Sequence, residues 1–123
     1  GGSGLDSIYG RGEADAIYGD EDYYSPPVGS ADRIDAGDGN DTIKPGPGSD
    51  TVSAGEGADT VVGDSGNDRI FGGGGNDWIE DWGGDNFIDA GGGNDFVELY
   101  NGFVRIDGEF HYSFETVLVR KFA

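Results

Sequence analysis

Aspartate returns every nine residues along most of this chain: Asp32, Asp41, Asp50, Asp59, Asp68, Asp77 and Asp95, with Asn86 standing where the same spacing calls for one more. Asp6 and Asp15 open the series. Paired carboxylates can serve glycoside hydrolysis as well as metal binding. Enzymes, however, rarely repeat a catalytic pair along a chain, so the regularity argues for cations. Aspartate, asparagine and glycine together suit a hard cation held by oxygens, calcium above all.

The elements that must position these carboxylates follow from the rest of the repeat. In ninefold register from Ala36 the chain reads AGDGNDTIK, PGPGSDTVS, AGEGADTVV, GDSGNDRIF, GGGGNDWIE, DWGGDNFID, AGGGNDFVE and LYNGFVRID. GGSGLDSIY at the start fits the same frame, and GRGEADAIY follows with its glycine displaced by one. Two places after each acid, and likewise after Asn86 and after Val104, which stands in the acid's place further on, comes a β-branched aliphatic: Ile8, Ile17, Ile34, Ile43, Val52, Val61, Ile70, Ile79, Ile88, Val97 and Ile106. Three residues around each, such as Thr42-Ile43-Lys44, make a strand of about 10 Å, its central side chain inward and its neighbours outward. The six residues before it form a turn, whose glycines allow backbone angles that a side chain would forbid. Two strands and two turns close one coil in 18 residues, and inward aliphatics from two sheets stack into a thin core.

Eighteen residues separate acids that share an edge. One edge carries Asp32, Asp50, Asp68 and Asn86; the other carries Asp41, Asp59, Asp77 and Asp95. Stacked carboxylates at about 4.8 Å repel unless a cation intervenes. Two aspartates fall short of the six to eight oxygens that calcium takes, so main-chain carbonyls of the turns must complete each site. Adjacent pairs give about six calcium sites, and more if Asp6 and Asp15 take part. Asp68/Asn86 is expected to be the weakest, because it lacks a charge.

Composition narrows the class. The 123 residues allow one domain, and a net charge of −18 with 26 glycines describes a chain that cannot offset its ordering entropy without help. It has no cysteine, which removes disulfides and thiolate metal sites. The charge argues against nucleic acid and anionic membranes as partners, and no apolar run reaches a membrane span. The chain begins inside a repeat and is expected to be part of a longer protein.

The nonapeptide resembles that of the RTX, or haemolysin-type calcium-binding, family, G-G-x-G-x-D-x-U-x, over about residues 1–20 and 29–107. The resemblance implies an all-β, right-handed parallel β-roll, a β-solenoid with calcium in its turns. It also implies that the carbonyls of the turn glycines and their neighbours are ligands: Gly37, Gly39, Gly46, Gly48, Gly55, Gly57, Gly66, Gly73, Gly75, Gly91 and Gly93. Family members stay unfolded in the low-calcium cytoplasm, leave bacteria by type I secretion and fold outside. The expected location is therefore extracellular or at a bacterial cell surface.

Two stretches depart from the repeat. Asp15 and Asp32 are 17 residues apart, one short of a coil. Either residues 21–28, EDYYSPPV, loop out of a lengthened turn, or they are a degraded strand. Two prolines and the lack of an inward aliphatic favour the loop. Beyond Leu99 the turn acid disappears, and Phe110, Tyr112, Phe114, Val117, Val119 and Phe122 alternate as in a strand. The expected domains are a roll over 1–107, with an insertion at about 21–28, and a strand-rich C-terminal cap over 108–123. The N-terminal end has no such cover and is expected to meet a preceding domain or a neighbouring subunit.

Other features have plain explanations. Trp78 and Phe96 fall side by side on an outward face; cross-strand packing accounts for them more simply than a bound partner. Tyr23 and Tyr24 suit packing and ligand contact equally. A single histidine, His111, cannot by itself build a zinc site or a triad, and H-E-x-x-H, G-x-S-x-G and EF-hand patterns are absent. Asn40-Asp41-Thr42 is a glycosylation sequon inside a calcium turn. No catalytic constellation emerges. Three functions fit: a calcium-folded module of a secreted protein; a structural subunit of an adhesin, surface layer or filament that stacks end to end; and, last, a sugar-binding accessory module.

Overall fold

The computed structural model describes residues 4–19, 29–106 and 109–121, with side chains for 4–19 and 29–100. Every described element is a strand. On one face run β1 (Ser7–Gly12), β3 (Arg33–Asp38), β5 (Thr51–Glu56), β7 (Arg69–Gly74) and β9 (Asp85–Asp89). On the other run β2 (Ala16–Tyr18), β4 (Thr42–Lys44), β6 (Thr60–Val62) and β8 (Trp78–Asp81). Neighbours in each row are parallel, as in Ile34↔Val52 and Ile43↔Val61, so alternate strands form two sheets wound as one solenoid.

The inward residues explain the winding. Ile34, Ile43, Val52, Val61, Ile70, Ile79, Ile88 and Val97 are all but fully buried, Ile17 nearly so, and Ile8 is partly covered. Each such side chain is worth about 1.5–3 kcal/mol when taken from water. A second layer lies two residues further on: Ala36, Ala54, Ala90 and Leu99 are buried as well. Small residues here let the turns approach the core, a layer that the nine-residue count did not reveal.

β1, β3, β5 and β7 run six residues rather than three, because their ladders continue into the turn, as at Gly37↔Gly55. All eleven glycines expected as turn residues have positive φ, from 90° at Gly91 to 141° at Gly66. Gly55 shows the reason: besides its φ of 108°, a Cβ there would collide with the Gly37 carbonyl oxygen one coil below. In the first coil the displaced glycine leaves Arg11 and Glu13 at φ 144° and 92°.

At the upstream end the pairing skips. Asp6 stacks with Asp32 and Asp15 with Asp41, both across 26 residues. Eight residues beyond an 18-residue coil therefore lie between β2 and β3, where residues 20–28, with Tyr23 and Tyr24, are outside those described.

At the other end β10 (Asp95–Ile106) is one strand where the repeat calls for strand, turn and strand. It pairs with β8 through Phe96–Leu99 and with β9 through Phe103–Ile106, closing both sheets. A lone glycine, Gly102, replaces the usual turn cluster, and the chain stays extended. β11 (Glu109–Lys121) returns antiparallel along β10, with a register shift between Tyr100 and Gly102. The side chains of the alternating aromatic residues from Phe110 to Phe122, and of His111, lie outside the described residues.

Candidate metal centre

Each turn ends in its acid because three inward positions follow one another at spacing two: acid, aliphatic and small residue. Asp32, Asp41, Asp50, Asp59, Asp68, Asp77, Asp95 and Asn86 are therefore buried, at 6% exposure or less. They form the two expected columns. Asp6 joins the column of Asp32, Asp50, Asp68 and Asn86, and Asp15 joins that of Asp41, Asp59, Asp77 and Asp95.

The columns are tied by a bond that sequence reasoning missed. The amide of each acid donates to Oδ1 of the acid one coil later: Asp41 to Asp59 at 2.8 Å, Asp50 to Asp68 at 2.9 Å, Asp59 to Asp77 at 3.0 Å and Asp68 to Asn86 at 2.7 Å. One carboxylate oxygen is thus occupied by main chain. The other, Oδ2, is buried with no hydrogen-bond partner at Asp41, Asp59, Asp68 and Asp77, and the same holds for Oδ2 of Asp6, at the start of its column, and of Asp81, outside the ladder.

Leaving a buried acceptor unsatisfied costs about 1–3 kcal/mol, and more if it is charged. Six together rival the total stability of a small domain, about 5–15 kcal/mol. The chain must therefore hold these oxygens protonated or give them a cation. Burial raises Asp68 to about 7 and Asp77 to about 6, against the Asp68–Asp50 and Asp77–Asp59 main-chain bonds that lower them. Asp59 is raised for the same first reason, with Asp41 adding like charge.

The donor set fits calcium. Carbonyl oxygens of Gly37, Gly39, Gly55, Gly57 and Gly75 point at the glycine one coil on, in space that a Cβ would fill. Among the described residues no group of three acidic or histidine side chains converges, so any ion in these turns needs those carbonyls. Hard oxygens from main chain and carboxylate are what calcium takes.

The family model of the RTX calcium-binding nonapeptide repeat matches the chain in four copies, over residues 1–23, 29–61, 45–79 and 62–97. The chain belongs to the RTX calcium-binding repeat family. No curated protein and no solved structure matches it. As an RTX β-roll, the chain is a calcium-binding structural module, and no described helix is long and apolar enough to span a membrane.

Two further features of this RTX roll lay outside the nine-residue count. Fifth-place asparagines clamp successive turns: Oδ1 of Asn40, Asn67 and Asn76 accepts the amides of Ala58, Asp85 and Asn94, each at 2.9 Å. Their recurrence before the aspartate was the available signal. Asp81 is buried in a first place that elsewhere in the register is alanine, proline, glycine or leucine. On the outer face Trp78 stacks on Phe96 at 4.2 Å, as their spacing implied, and Trp82 stacks on Tyr100 at 4.6 Å.

Proposed function

We propose that this RTX module belongs to a secreted or surface-attached bacterial protein and folds outside the cell, when calcium neutralises its stacked turns. The supporting observation is the buried Oδ2 atoms of Asp6, Asp41, Asp59, Asp68 and Asp77, which have no hydrogen-bond partner in columns lined by glycine carbonyls. Asp32, Asp41, Asp50, Asp59, Asp68, Asp77 and Asp95 supply the carboxylates, the carbonyls of the turn glycines complete about six sites, and Asp6 and Asp15 add to that number. Because the free chain cannot keep so many charges close together, binding free energy becomes folding free energy. Extracellular modules bind calcium at about 10⁻⁴ to 10⁻³ M, which separates cytoplasm from exterior. β11 acts as the cap of the last coil.

Circular dichroism during a calcium titration tests this reading. A cooperative gain of β signal, reversed by chelator, is expected; equal β content with and without calcium would refute it.

A second reading, calcium-dependent end-to-end stacking, draws on β1 and β2. They are the terminal strands of the sheet order, each with one described partner, and Leu5, Tyr9 and Tyr18 nearby are exposed. An open edge of this kind accepts a preceding domain or another copy. Light scattering that grows with calcium supports stacking; a strict monomer at high concentration removes it.

A further inference from the structure

The repeat breaks twice in one turn, and the two breaks touch. In turn 81–86 the sixth place is Asn86 instead of aspartate, and the first place is Asp81. Asn86 Oδ1 keeps the ladder bond, accepting the Asp68 amide at 2.7 Å. Its amide nitrogen therefore occupies the position that is Oδ2 in the other turns, and it donates to Asp81 Oδ1 at 2.6 Å. The Gly83 amide donates to the same oxygen at 3.0 Å. What residue 86 has lost, a second buried oxygen with no donor, reappears on Asp81: its Oδ2 has no hydrogen-bond partner, and the residue is 2% exposed.

That oxygen lies close to Gly63, the first residue of the turn one coil earlier, where a Cβ would come within 2.6 Å of it. Gly63 thus leaves room for the carboxylate. Asp68, whose Oδ2 is also buried without a partner, belongs to that same earlier turn.

We propose that Asp81 takes over from residue 86 as the carboxylate ligand of a calcium site between turns 63–68 and 81–86, with Asp68 as the second acid. This rests on the reading of the turns as calcium sites. Asn86 becomes a positioning residue, holding Asp81 Oδ1 so that Oδ2 stays free. The exchange conserves one carboxylate per turn, and Asp68/Asn86 is then no weak link in the column. A purely structural role for Asp81 leaves Oδ2 unused, since no protein group donates to it.

Native mass spectrometry and calorimetry of the full chain in calcium distinguish the cases, using wild type, D81N, D81N/N86D and, at the opposite edge, D95N. D81N is expected to bind one ion fewer, and D81N/N86D to regain it by restoring the usual acid. If D81N does not fold, the double variant decides: folding with the wild-type ion count supports the exchange, and failure to fold overturns it. Loss of an ion in D95N with none lost in D81N overturns this proposal alone. A wild-type chain that takes up no calcium overturns the general reading together with it.

Discussion

The amide of Asp41 donates to Oδ1 of Asp59, one coil later, at 2.8 Å, while Oδ2 of Asp59 stays buried without a donor. One side chain thus carries two separable roles, a coil-to-coil clamp and an acid oxygen offered to a cation.

Substitutions at Asp59 should separate them. Asp59→Asn keeps an Oδ1 for the Asp41 amide and loses only the charged oxygen. It should raise the calcium needed for half-folding while leaving stability in saturating calcium closer to wild type. Asp59→Ala also strands the buried Asp41 amide, adding about 1–3 kcal/mol of loss. Urea denaturation at limiting and saturating calcium reads both; identical curves for the two variants would contradict the division.

Glycine positions should be sharply unequal. Gly55→Ala puts a Cβ against the Gly37 carbonyl at a φ of 108° and should cost well over 1 kcal/mol. Gly92→Ala meets nothing within 4 Å and should stay within about 0.5 kcal/mol of wild type. Thermal melts in saturating calcium compare them.

The first coil carries correctable strain. Glu13, at φ 92°, stands where Gly39 stands one coil later. Glu13→Gly should stabilise the calcium-loaded roll by about 1 kcal/mol, within the usual 1–3 kcal/mol for a non-glycine residue held there. A lower melting temperature for this variant would argue against strain.

Core truncation should act through folding, not ligation. Ile79 is completely buried and central to its sheet. Ile79→Ala should cost about 2–5 kcal/mol, and because folding and binding are linked, the calcium midpoint should rise too. An unchanged midpoint would mean that binding does not require the packed core.

Acid should oppose calcium and favour the metal-free fold. Asp68 and Asp81 are raised to about 7 and Asp77 to about 6, chiefly by burial, above the unfolded value of 3.8. The folded metal-free form therefore holds protons that the unfolded chain has released. Its stability is greatest below about pH 4 and is lost as pH rises through 6 to 7. Calcium must displace those protons, so its midpoint should rise on acidification from pH 7.5 to 6, by up to about tenfold per unit for each proton displaced. Circular dichroism in chelator at pH 5 and 7.5, with calcium titrations at pH 6 and 7.5, checks both signs.

The parallel solenoid and the two acid columns were legible in the sequence because both depend on period alone. A residue every nine places, followed two later by an aliphatic, has the same neighbours in any coil, so Asp32, Asp50 and Asp68 had to share an edge. The upstream register was open, since 17 residues between Asp15 and Asp32 suited two pairings. Strand pairing across 26 residues, Ser7 with Arg33 and Ala16 with Thr42, set Asp6 against Asp32 and Asp15 against Asp41. Period also failed where the pattern lapses. β10 runs straight through an expected turn because one glycine, Gly102, does not supply the positive-φ pair that the other turns use.

Residue order by itself thus determined which acids stack, which aliphatics form the core and which cation suits the turns, because repetition turns chain distance into spatial distance. Only the tertiary structure decided how each carboxylate divides its oxygens and that Asp81 lies against Asn86. Those facts depend on where Oδ1 and Oδ2 fall relative to amides one coil away, a matter of a few ångströms that spacing along the chain does not encode.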